Sequence, residues 1–116
     1  MRILIINHYA GSPKYGMEFR PYYLAREWVR MGHKVLIIAG AYSHIRAKQP
    51  QLPAGAFSFN EALSGIDFRW YSTRSYEGNG VGRVCSILHF LWHLWRDGKE
   101  LARDFAPDVV IASSTY

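Results

Sequence analysis

Two uninterrupted apolar runs, residues 2–7 (RILIIN) and 34–39 (KVLIIA), bracket a segment whose apolar positions recur at helical spacing. Runs without polar alternation belong to strands covered on both faces, and a helix between two of them implies parallel neighbours. The spacing predicts a helix over 17–31, with Leu24, Trp28 and Met31 turned inward and Arg26 and Arg30 outside. Pro21 then falls in the first turn or just after it, where few amides have helical partners, and Gly32 supplies a left-handed stop. In a βαβ opening of this kind, ligands sit beyond the carboxyl ends of the strands, where the first loop meets the first helix. That loop is 8–16 (HYAGSPKYG).

Further along, Pro50, Pro53 and Gly55 argue against a long helix over 40–63, leaving a surface excursion with a short strand at 56–59. Residues 65–72 set Ile66, Phe68 and Trp70 against Asp67, Arg69 and Tyr71, the alternation of a strand with one wetter face. A glycine-rich loop covers 75–82, and the longest helix covers 83–105. Its broad apolar face is expected to hold Val84, Ile87, Leu88, Leu91, Leu94, Trp95, Leu101, Ala102 and Phe105, with His89, His93, Arg96, Glu100 and Asp104 opposite. Gly98 is a weak point inside it that can mark a bend. At 1.5 Å per residue this helix spans about 34 Å, enough to cross a sheet. Pro107 ends it, and 108–113 (DVVIAS) is a further short strand. The predicted fold class is α/β, a Rossmann-like parallel sheet with helices on both faces, in one domain over 1–116. The chain stops at Tyr116, at the carboxyl end of a strand where a ligand loop is expected to follow, so the reading is of an incomplete, amino-terminal piece of a larger protein.

Composition sharpens this picture in three ways. A hydrophobic fraction of 49% excludes disorder. A net charge of +5, with Lys14, Arg20, Arg46, Lys48, Arg69, Arg74 and Arg83 expected near the ligand edge, fits an anionic partner. The single cysteine, Cys85, excludes an internal disulfide and a cysteine-rich metal site. No secretory signal is visible, and the segment 87–95 (ILHFLWHLW) is shorter than the ~20 residues that cross a bilayer; its periodicity fits core packing.

The glycine pair around GSPKYG is not a P-loop, because Met17 and Glu18 stand where lysine and serine or threonine would be needed. A dinucleotide fingerprint is missing too, since Ala39, Gly40, Ala41 and Tyr42 replace the acid expected after the second strand. This disfavours a nicotinamide- or flavin-dependent oxidoreductase, and no cofactor is expected. What remains is a loop feeding a helix amino terminus, whose free amides favour an anion or polar oxygen. Gly16 is placed for close backbone approach, or simply to let the chain turn. His8, directly after strand one, can bind a hydroxyl or move a proton; Glu18 and Arg20 can bind a hydroxyl and a phosphate; Ser113, Ser114 and Thr115 can meet a polar ligand. Each also has an ordinary role in capping or solvation. His89 and His93 lack a third ligand and an intervening glutamate, which disfavours zinc. Arg69, Tyr71, Arg74 and Tyr76 interleave charge and aromatic surface, but no nucleic-acid-binding motif accompanies them, and a solvated strand face is favoured.

The stretch 3–35 (ILIINHYAGSPKYGMEFRPYYLAREWVRMGHKV), together with 41–46 (AYSHIR), 76–83 (YEGNGVGR) and 107–116 (PDVVIASSTY), resembles the amino-terminal domain of family-4 retaining glycosyltransferases of the GT-B type. The likeness is greatest to bacterial enzymes that build surface polysaccharides and lipopolysaccharide O-antigen. It implies two Rossmann-like domains across a cleft, the first binding the acceptor and the second, absent here, holding the nucleotide-sugar. The loop after strand one would approach the donor phosphate or sugar, which places Gly16, Met17 and Glu18 there. The family's cleft histidine follows a later strand and is not His8. The implied reaction is glycosyl transfer with retention and no obligatory metal, the leaving diphosphate being stabilised electrostatically. Implied partners are a nucleotide-sugar donor, a glycan or lipid-linked acceptor and an anionic membrane surface on the cytoplasmic side, without nucleic acid; the piece alone is expected to be inactive. The alternative is a stand-alone Rossmann-like module for a phosphorylated metabolite.

Overall fold

The computed structural model describes residues 1–7, 20–40, 58–63, 65–71 and 81–112. Along the chain these form β1 (Arg2–Ile6), α1 (Arg20–Arg30), β2 (Lys34–Gly40), β3 (Ser58–Leu63), β4 (Ile66–Tyr71), α2 (Val81–Asp104) and β5 (Val109–Ala112). The five strands make one sheet in the order β3-β4-β2-β1-β5. β1 pairs in parallel with β2 and β5, and β2 with β4, while β3 runs antiparallel on the outer side of β4. An antiparallel edge on an otherwise parallel sheet is a common α/β variant, and the fold is Rossmann-like as the sequence implies. The third strand falls at 58–63 instead of 56–59 because it pairs back on β4 through a tight connection, with Gly65 at φ +80°.

The helices lie on opposite faces. On one, Ile3, Ile5, Val35, Ile37, Phe68 and Trp70 pack under Tyr22 and Ala25 of α1. On the other, Leu4, Leu36, Ile38 and Tyr71 pack under Phe90 and Leu101 of α2. The period-2 alternation of strand side chains produces this split, and both faces of β1 and β2 are consequently buried. β5, at the outer edge, is exposed along its whole length.

α1 begins at Arg20 with Pro21 in its first turn, where a missing amide is harmless. It ends in a Schellman motif: the His33 amide donates to the Trp28 carbonyl and the Gly32 amide to the Val29 carbonyl, both at 3.0 Å, with Gly32 at φ +94°. The inward stripe is Pro21, Tyr22 and Ala25, with Trp28 and Val29 beside it. Leu24 and Met31, expected inside, are exposed; Arg26 and Arg30 are outside as expected. The reason is one of phase. Tyr22 and Ala25 give a flat contact to β2 and β4, and a stripe centred on them turns Leu24 and Met31 away.

α2 departs more sharply from expectation. Its buried side chains are Phe90, His93, Asp97 and Leu101, and the residues exposed include Val84, Leu88, Leu91 and Trp95. The helix is rotated so that His93, expected in solvent, faces the sheet. The cause lies in β4, which presents Arg69 and Tyr71 on the α2 side and requires a carboxylate opposite them. The helix runs without interruption through Gly98.

Candidate functional site

The chain runs from β1 through α1 to β2 on one side, and from β4 through α2 to β5 on the other. The direction of connection therefore reverses between β1 and β5, which is a topological switch point. Ligands in open α/β sheets bind in the crevice outside the carboxyl ends at such a point. Asn7 sits at that mouth, 3% exposed, and its backbone N–H donates to the Ile38 carbonyl at 3.0 Å, extending the β1–β2 ladder by one bond. The sequence shows only an asparagine closing the run RILIIN; its burial is seen in the structure.

Of the six residues assigned to substrate or phosphate binding, Arg20 alone is among those described. It is the first residue of α1 and is exposed, at the end of the helix nearer the switch point. His8, Gly16, Met17, Glu18 and Ser114 lie outside the described residues. So do Lys14, Arg46, Lys48, Arg74 and Tyr76 from the wider basic and aromatic set. Arg69, expected near the ligand edge, is instead held under α2, so the strand face it shares with Tyr71 is not a solvated one.

That polar cluster is the best-defined one among the described residues. Asp97 Oδ2 accepts from Arg69 Nη1 at 2.5 Å and from the Tyr71 hydroxyl at 2.6 Å; Arg69 Nε also donates to Asn60 Oδ1 at 3.0 Å. The His93 ring lies 5.9 Å from the Tyr71 ring and 4.3 Å from that of His89. Burial would by itself lower the pKa of the Arg69 guanidinium; the hydrogen bond and the charge of Asp97 outweigh it and raise the pKa. Burial, then the hydrogen bond to Asp97 and its charge, hold the Tyr71 phenol far above its ordinary value. With Tyr71 fully buried, this cluster fixes the seat of α2 on β4, and Arg69 also borders the groove beside it.

A groove of about 450 Å³ opens beside it, with Lys34, Asn60, Asp67 and Asp104 among its walls. It is formed by the amino end of β2 and the carboxyl end of α2, so it lies toward the edge opposite the switch point. Two cations, Lys34 and Arg69, face three carboxylates, Glu61, Asp67 and Asp104, a balance that does not select an anion. Among the described residues no group of His, Cys, Asp and Glu is arranged to hold a metal ion, and no helix is long and apolar enough to cross a membrane. The chain matches no family model, no curated protein and no solved structure.

Proposed function

We propose that this chain is the acceptor-side domain of a retaining, nucleotide-sugar-dependent glycosyltransferase that builds a cell-surface glycan on the cytoplasmic side of the membrane. The observation that carries the reading is the switch point between β1 and β5, because it lies where the chain inserts the loop HYAGSPKYG. The fold admits many chemistries; the loop sequence and the joint pattern that accompanies it narrow the choice. In this reading, Gly16, Met17 and Glu18 bring backbone amides to an oxygen-rich ligand and Arg20 contributes a guanidinium beside them. The donor is held chiefly by a second domain, and the acceptor is a glycan, commonly lipid-linked.

The test is made on the full-length parent protein with a nucleotide-sugar donor. Gly16→Val is expected to reduce transfer by about a hundredfold, the scale of losing a positioned backbone donor, while the circular dichroism spectrum is unchanged. Anomeric proton spectra should show retention. Normal turnover by the variant removes the loop from the mechanism, and inversion removes the family assignment.

A further inference from the structure

We propose that the groove at the amino end of β2 binds a zwitterion, a free α-amino acid with an apolar side chain. The strand register builds the site. Leu36 stands opposite Asp67, and Asn60 opposite Arg69, so three adjacent strands bring these residues side by side. Side chains two apart on a strand share a face, which sets Lys34 with Leu36 and Asp67 with Arg69 on the face that carries α2. Asp104, the last residue of α2, and Phe105 after it stand at one end of the groove. Its volume of about 450 Å³ falls within the range of small-molecule sites.

The partners of the charged groups on the walls select the ligand. Asp104 is paired with Arg103 at 3.1 Å, and Glu61 accepts from the Trp70 indole N–H at 3.2 Å. Arg69 is charge-matched by Asp97, and its Nε and Nη1 donate to Asn60 and Asp97. Its Nη2 stays accessible and has no hydrogen-bond partner among the described residues; the side chain is 20% exposed. Lys34 and Asp67 are exposed, and neither side chain has an ion pair or hydrogen bond among the described residues, not even with the other. One cation and one carboxylate are therefore left unmatched across a single groove. A lone anion would lie against Asp67 and a lone cation against Lys34, whereas a molecule carrying both charges answers both. Asp67 and Arg69 are about 6.6 Å apart along β4, a spacing that one amino-acid head group bridges. Its ammonium meets Asp67, and its carboxylate meets Arg69 Nη2 and Lys34. The guanidinium is already held on two sides, so little freedom is lost when it takes a carboxylate. Leu36, Ala62 and Phe105 supply the apolar wall for the ligand's side chain.

This site lies toward the edge opposite the switch point, and its test contains no sugar donor, so it stands or falls apart from the transferase reading. Binding of L-leucine and of L-phenylalanine to the full chain is measured by titration calorimetry. Two further probes, 4-methylpentanoate and 3-methylbutylamine, keep the leucine side chain and one of its two charges each. Expected is saturable binding of at least one amino acid at millimolar concentration or below. Either single-charge probe should bind about tenfold or more weakly than leucine, the scale of one charge-assisted hydrogen bond. Asp67→Asn and Lys34→Gln should each weaken amino-acid binding by a similar factor, with unchanged circular dichroism and melting, because both side chains are exposed. Asp67→Asn should also narrow the gap between leucine and 4-methylpentanoate. Absence of saturable binding by both amino acids, or undiminished binding in both variants, overturns the proposal. So does 3-methylbutylamine or 4-methylpentanoate binding as tightly as leucine, which would make the groove a site for a single charge.

Discussion

The Tyr71 hydroxyl donates to Asp97 Oδ2 at 2.6 Å, to the same oxygen that accepts from Arg69. One carboxylate oxygen thus joins two side chains of β4 to the middle of α2. This bond, more than the apolar pattern of the helix, sets which face of α2 meets the sheet.

Asp97→Ala should therefore destabilise the fold by about 3 kcal/mol, because it leaves a partly buried guanidinium without its counter-charge. Asp97→Asn, which keeps an acceptor for Tyr71, should cost less. Replacing the group together, as Arg69→Met, Tyr71→Phe and Asp97→Leu, should recover most of the loss. Urea midpoints of the three variants check the order.

The raised pKa of Tyr71 has a direction in pH. Below about pH 10 the phenol is protonated in both folded and unfolded chains, and its contribution to stability is complete. Above it the unfolded chain ionises first, so stability falls as pH rises toward the folded-state value. In an absorbance titration the Tyr71 phenol should remain un-ionised until the protein unfolds. Tyr71→Phe should abolish that late phase and cost about 1 kcal/mol at neutral pH.

Much of the fold was legible in the chain. The runs at 2–7 and 34–39 gave two central parallel strands because burial on both faces leaves no room for alternation. Gly32 gave the end of α1 because the left-handed φ it adopts is one that other residues resist. The rotation of α2 was not legible. Val84, Leu88, Leu91 and Trp95 are as many as the apolar residues on the true inner face, Phe90, Leu94, Leu101 and Phe105, and what turns them outward is Arg69 and Tyr71, which reach Asp97 across 28 and 26 residues. Periodicity is a local quantity and carries no record of such a partner. Of the candidate site, sequence order gives the edge at which it lies; Arg20 is the first residue of α1, the expected start at 17 lying outside the described residues, while Arg69 is drawn away by its own ion pair.

α1 offers a direct check on its phase. Leu24→Ala and Met31→Ala should each change stability by no more than about 0.5 kcal/mol, since both side chains are exposed. Ala25→Leu, at a position with no exposed surface, should cost about 1–3 kcal/mol by overpacking against the sheet. Thermal melts distinguish this pattern from a stripe centred on Leu24.

Two glycines should respond with opposite signs. A Cβ at Gly98 would meet nothing within 4 Å, so Gly98→Ala should stabilise α2 by about 0.5–1 kcal/mol through its lower unfolded-state entropy. At Gly65 the backbone has φ +80° and a Cβ would come within 3.3 Å of Val29 Cγ1. Gly65→Ala should cost more than about 1 kcal/mol, from strain and from displacement of α1. The melting temperatures should move up and down respectively.

Among the described residues, β5 has a hydrogen-bonded neighbour on one side only. The peptide groups along its other side face outward, and its β-branched sequence VVIA contains no charge or proline to discourage another extended segment. Concentrated solutions of this chain should accordingly self-associate by strand addition there, and a short peptide that caps the row would be the means of keeping it monomeric.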